Sequence, residues 1–225
     1  MFSGCVNEKI SAADDINMTI SLMNSGNVRI EKIDFEAYGY SDAKIKLAAS
    51  KVDYEEVLKI LNNTITDYNE EKKIIEINKI VCSYSLDEIA TLQNFIIWLE
   101  HLDTSVAYLE GDDFAKSRSK LKLADNAWID SKPFISKAKE KCFSIDVDTI
   151  PVEYKSRILE DRLSIEQTEK MVSEFGEMIP GIHLCIDANE HIAKAVDHME
   201  NGKVQNLSLA IVMQIFQDPK IFLWI

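Results

Sequence analysis

Phe95-Ile96-Ile97-Trp98-Leu99-Glu100-His101-Leu102-Asp103-Thr104-Ser105-Val106 is the stretch that settles the fold class. Phe95, Ile96, Leu99, Leu102 and Val106 recur at steps of three and four, the spacing that lays side chains along one face of an α-helix. Further along, Ile158, Leu163, Ile165, Met171, Val172, Phe175 and Met178 supply apolar positions to a second, longer helix. Only 7 glycines and 4 prolines punctuate the 225 residues, so little interrupts the helical period. The sequence therefore predicts an all-α protein of antiparallel helical hairpins, built either as an array or as an irregular bundle.

Local signals refine this picture. Asp53, Ser85 and Asp112 have the chemistry of helix N-cap or near-cap residues, and Glu56 and Glu88 follow the first two by three positions, as in a capping box. Pro151 suits the first turn of a helix that Pro180-Gly181 should end. Asn27 to Tyr40 keeps no clean period, and a short extended segment or pair of strands is expected there. Residues 1–10 read as a tether and 11–225 as a single helical domain, with 146–151 as the place where it could divide.

With 46% hydrophobic residues the chain has ample material for a core. No uncharged run of about 18 apolar residues occurs, so no transmembrane helix is expected. The formal net charge of −13 opposes binding to phosphate backbones, which excludes nucleic acid as an expected partner and disfavours anionic lipid surfaces. Cys5, Cys82, Cys142 and Cys185 are far apart and form no C-x-x-C pair, so neither a zinc ribbon nor a thioredoxin-type site is indicated. Asn17-Met18-Thr19, Asn62-Asn63-Thr64 and Asn206-Leu207-Ser208 match the glycosylation acceptor pattern, which has meaning only in an exported chain.

Two resemblances bear on role and location. Ser105, Tyr108, Gly111-Asp112, Phe114, Ser117, Leu121 and Ala124 together resemble the helix–turn–helix junction of a tetratricopeptide repeat. That resemblance implies small residues letting two helices approach, an aromatic filling the space beside them, and a concave groove for a peptide or protein. Asp53-Tyr54 with Val57 and Leu61, and Lys203-Val204 with Leu207 and Ile211, repeat the same offsets. Phe2-Ser3-Gly4-Cys5 resembles the cleavage site of a lipoprotein signal peptide, in which the cysteine is lipidated and becomes the mature N-terminus. It implies a lipid anchor on Cys5 and a cell-surface or periplasmic location, with membrane attachment through that lipid alone. A basic and apolar stretch ahead of the cysteine belongs to such a signal, and only Met1 and Phe2 precede Ser3 here.

Candidate chemistry is sparse. There is no G-x-S-x-G elbow, H-E-x-x-H helix, phosphate-binding loop or G-x-G-x-x-G turn, and no cofactor is implied. On a helix Asp187 and His191 are four apart and His198 is seven further on, so the three could hold a transition metal along one stripe. Leu184, Ala188, Ile192, Ala195 and Met199 should form the buried face beside it. Tyr108, Phe114 and Trp128 are the expected ligand-binding aromatics, with Trp128 the first choice for an exposed anchor. Trp224 must pack back onto the domain or expose an apolar patch. The expected role is an extracytoplasmic, lipid-anchored helical module that binds a peptide or protein; the alternative is a soluble helical metal protein or enzyme built on His191, His198 and Asp187.

Overall fold

The computed structural model describes residues 9–200, and these are all-α: five helices occur among them and no strand. Helix α1 spans Ala13–Glu31, α2 Phe35–Asn63, α3 Asn69–Glu110, α4 Phe114–Ser144 and α5 Val152–Glu200. Each packs chiefly on its neighbours in the chain, so the helices alternate in direction, and the α3–α4 contact is the most extensive. At 42 residues α3 alone outruns a thirty-four-residue repeat unit. Cys5, Lys203, Val204 and Trp224 lie outside the described residues.

The apolar stripes are buried in two clusters. The larger joins α1 and α2 to the first half of α3, the second half of α4 and the start of α5, around Met23, Leu47, Tyr54, Leu61, Ile89, Ile135 and Ile158. The smaller lies at the opposite end of α3, α4 and α5, where Trp98, Leu121, Ala124 and Ile186 meet Phe95, Phe175 and Trp128. Phe95 and Trp98 stack at 5.5 Å between ring centroids, and Phe175 tilts against Trp98 at 5.0 Å. Large side chains buried to this degree contribute about 1.5–3 kcal/mol each to folding.

Small residues set how closely the helices approach. Ser105 and Ser117 face one another across the α3–α4 hairpin, each hydroxyl donating to the other's backbone carbonyl at 2.8 and 2.9 Å. That is the close approach that the sequence of the junction implies. Gly26 of α1 leaves room for the ring of Tyr54, which a Cβ there would meet at 2.9 Å. At Gly176 of α5 a Cβ would stand 1.8 Å from Cζ2 of Trp128. Trp128 is wedged between α4 and α5, its Nε1–H donating to the Val172 carbonyl at 2.6 Å.

Several local expectations are corrected. Asp53 and Ser85 sit inside α2 and α3, because the apolar stripes run on through both positions and packing outweighs the local capping signal. Asp113, one residue after Asp112, caps α4 by accepting from the Lys116 backbone N–H at 3.1 Å, while Asp112 takes the left-handed φ of 57° that turns the chain. The caps of α2 and α4 otherwise follow ordinary rules: Asp34 accepts from Ala37 N at 2.9 Å, and Arg162 donates to the Ile145 carbonyl beyond the end of α4. Asn27 to Tyr40 holds no strand. Ile30 and Ile33 pack on the core, α1 runs through to Glu31, and the irregularity shrinks to a three-residue link plus a break at Gly39, φ 70°. Pro180 does not end α5, which continues to Glu200; contacts with α4 on both sides of it hold the helix together.

The first described residues are fastened to the α2–α3 link. Ile10 N donates to Asp67 at 3.0 Å, and Glu71 accepts from the Ser11 hydroxyl at 2.7 Å, the Ala12 N–H at 2.8 Å and the Thr66 hydroxyl. These hydrogen bonds, led by that of Thr66, hold the Glu71 carboxyl below its ordinary range.

Gly176→Ala is expected to lower stability by about 2 kcal/mol in urea unfolding, because overpacking against Trp128 outweighs the helix-propensity gain. In a Trp128→Ala background the same substitution should cost little or be favourable, and an equal loss in both backgrounds would disprove the wedge.

Candidate functional site

Because α4 runs antiparallel to both α3 and α5, those two helices run parallel to each other, and they barely touch. Between them lies a seam of polar side chains. On α3, Asn78, Cys82, Ser85 and Glu88 follow steps of four, three and three and so share one face. On α5, Tyr154, Arg157 and Asp161 do the same. Tyr54 reaches in from α2 beside Ser85 and donates its hydroxyl hydrogen bond to Asn27 of α1.

The two stripes run in register. At the first level the Tyr154 hydroxyl lies beside the Asn78 amide. Asn78 is only 1% exposed, and beyond the Tyr154 hydroxyl its amide meets no hydrogen-bond partner. At the second level Arg157 acts electrostatically on Cys82, Tyr54 and Asp161, but forms no salt bridge among the described residues. At the third level Glu88 and Asp161 approach one another, and the Tyr84 hydroxyl donates to Asp161 Oδ2.

Burial dominates the electrostatics. It raises the Glu88 carboxyl to about 8, helped by the negative charge of Asp161. Asp161 is raised too, again by burial, with Tyr84 and Arg157 pulling the other way. The thiol of Cys82 is pushed up to about 12 and the Tyr54 hydroxyl to about 12, both chiefly by burial, so neither is a ready nucleophile near neutral pH. At pH 7 the seam thus carries a protonated Glu88 beside Asp161, with Arg157 one helical step away along α5.

The residues singled out from sequence lie elsewhere. Tyr108 and Phe114 flank the α3–α4 turn, both half-buried; Lys116 Nζ stands 5.3 Å above the Tyr108 ring, and Phe114 packs on the smaller core. Trp128 is fourteen residues further along α4, about 21 Å at the helical rise, and is a packing wedge instead of an exposed anchor. The three aromatics therefore line no common groove.

The histidine stripe does not assemble either. Asp187 is held by Arg118 at 2.6 Å, and His191 and His198 stand exposed on α5. Among the described residues no group of three or more His, Cys, Asp or Glu side chains is placed to hold a metal. His183 instead meets a carboxylate of α4, Nε2 lying 2.9 Å from Asp125. The face expected to be buried is open: Leu184 is 48% exposed, Ile192 53% and Met199 58%. Arg118 near the start of α4 already reaches Glu190, so α5 beyond that point overhangs the end of its partner.

No helix of the described residues is long and apolar enough to cross a membrane. No protein-family model matches the chain, and neither curated proteins nor solved structures give a match.

Replacing Asn78 by the similarly sized Leu should raise stability by about 1 kcal/mol in urea unfolding, since a buried amide with most of its hydrogen-bonding capacity unmet costs about that much; a loss would show that the Tyr154 hydroxyl satisfies the amide. Glu88 supplies a pH signature. Its folded value of about 8 exceeds the ordinary 4.5, so between those values the folded chain keeps a proton that the unfolded chain releases. Its contribution to stability therefore falls as pH rises from about 4.5 to 8 and is level above that. Glu88→Gln should melt with the parent near pH 4.5 and several degrees above it at pH 8; a pH-independent difference would contradict the assignment.

Proposed function

We propose that the protein is a lipid-anchored, extracytoplasmic helical module that binds a peptide or protein partner without transforming it. The observation that carries the binding role is the α3–α5 seam, where the buried Asn78 amide meets only the Tyr154 hydroxyl and Arg157, further along, forms no salt bridge among the described residues. A fold that needed only stability would fill such a position with apolar side chains, because polar groups left unpaired in an interior cost free energy. Groups kept with unused donors and acceptors are suited to a guest that supplies the missing partners.

A peptide fits the chemistry. Its backbone offers the N–H and C=O that an amide side chain can pair with together, and its charged groups answer Arg157 and the two carboxylates. The raised thiol of Cys82 and the phenols favour recognition over covalent chemistry. The net charge of −13 speaks against nucleic acid. The anchoring half of the proposal rests on Phe2-Ser3-Gly4-Cys5, and the polar Val6-Asn7-Glu8-Lys9 that follows suits a tether between lipid and folded domain.

The two halves are tested separately. A mixture of short peptides should raise the melting temperature of the full chain; a ligand at a hundred times its Kd adds about 2.7 kcal/mol, a rise of roughly 5–10 °C for a chain of this size. Arg157→Gln should abolish the rise, and no shift with any peptide mixture would remove the binding role. Intact-mass spectrometry of the protein made from its complete gene in the native host should give a diacylglyceryl adduct at Cys5, and an unmodified Cys5 would remove the anchor.

A further inference from the structure

Helix α5 carries two apolar faces toward its end, and the described part of the fold covers one of them. Ile182 and Ile186 enter the smaller core. Roughly a quarter of a turn round the helix, Ala188, Ile192, Val196 and Met199 follow one another at steps of four, four and three. The last three are large apolar side chains between 41% and 58% exposed. They lie beyond Glu190, which Arg118 near the start of α4 already reaches.

After Glu200 the sequence continues Asn201-Gly202-Lys203, and an Asn-Gly pair is a turn signal. The fourteen residues from Val204 to Gln217 then carry no charge; such a run is too short to cross a bilayer and has the length of a core helix. Within it Val204, Leu207, Ile211 and Ile215 follow at steps of three, four and four, the mirror image of the row on α5. Folding the chain back at the Asn-Gly pair sets the two rows in register, with Met199 against Val204, Val196 against Leu207, Ile192 against Ile211 and Ala188 against Ile215. Each row spans eleven residue steps, about 16 Å at the helical rise. From this match we infer that residues 204–217 form a helix antiparallel to α5, and that its apolar row is the occupant of the open face.

A second copy of the chain is the rival occupant, and size counts against it. A row about 16 Å long and 10 Å wide offers about 160 Å², against about 800 Å² on each partner in a stable interface. A segment joined to α5 by three residues gives up little freedom in docking, so a contact too small to hold two molecules together suffices within one. The hairpin withdraws the row from water and from the surfaces open to a partner.

The experiment uses the full chain. At an open helix surface Ile192→Lys should leave the melting temperature unchanged or raise it, since lysine is the better helix former. Against a docked segment it should lower the melting temperature by at least about 4 °C, and adding Ile211→Glu should recover part of the loss by setting opposite charges across the contact. The exposed thiol of Cys185 reads the register, because the same pairing continues to 185 against 218. In a Cys5→Ser background, oxidation of the Asp218→Cys variant should join positions 185 and 218 within one molecule. The Lys203→Cys variant should cross-link to Cys185 at least tenfold less, its position being about 27 Å away along α5. Sedimentation should show a monomer throughout. An unchanged or raised melting temperature for Ile192→Lys, or equal cross-linking of the two cysteine variants, would overturn the inference. A dimer that Ile192→Lys disperses would overturn it too, by making a second copy the occupant. Should Asp218→Cys fail to fold, the melting comparison and sedimentation decide without it.

Discussion

The close contact of α3 with α4 is the constraint on which the rest of the molecule depends. Ser105 and Ser117 bond reciprocally at one end of that hairpin, and near the other Lys141 of α4 pairs with Asp87 of α3. The two helices are thereby fixed along most of their length. Helix α5 then packs along α4, through Trp128 at Gly176, Lys139 with Glu169 and Arg118 with Glu190. Both outer helices are bound to the same middle one, so they lie side by side in parallel and touch only slightly. Side chains of the polar stripes meet between them, as Tyr84 of α3 does with Asp161 of α5.

This arrangement explains how a bundle with two apolar cores tolerates buried polar groups. Asn78, Glu88 and Asp161 all lose hydration in the seam, and the raised carboxyls of Glu88 and Asp161 are the electrostatic expression of that loss. Some of the cost is offset locally by the Tyr84 hydroxyl and by Arg157, both acting on Asp161. Glu88 avoids it by keeping its proton. Asn78 is offset only by the Tyr154 hydroxyl, so most of the bonding capacity of its amide is unmet.

Much of the architecture was legible along the chain because burial in a helix leaves a period of three and four. At the junction Ser105 to Ala124 the tetratricopeptide resemblance implied small residues where two helices approach, and Ser105 and Ser117 do face one another there. Where one local signal opposed the pattern, the pattern prevailed: α5 runs through Pro180, and Ser85 with Glu88, a capping pair on paper, lies inside α3. The open face at Ile192 and Met199 shows the limit of periodicity, which identifies an apolar stripe but not whether a partner helix is long enough to cover it.

What the sequence by itself determined was the helical class and the antiparallel hairpins, because these follow from spacing along one chain. Only the tertiary structure decided which polar residues meet. Asn78, Glu88, Arg157 and Asp161 are up to 83 positions apart, and each alone looks like an ordinary solvated side chain of an acidic protein. Their significance comes from being withdrawn from water together, and desolvation belongs to the packed assembly and not to any residue or spacing within it.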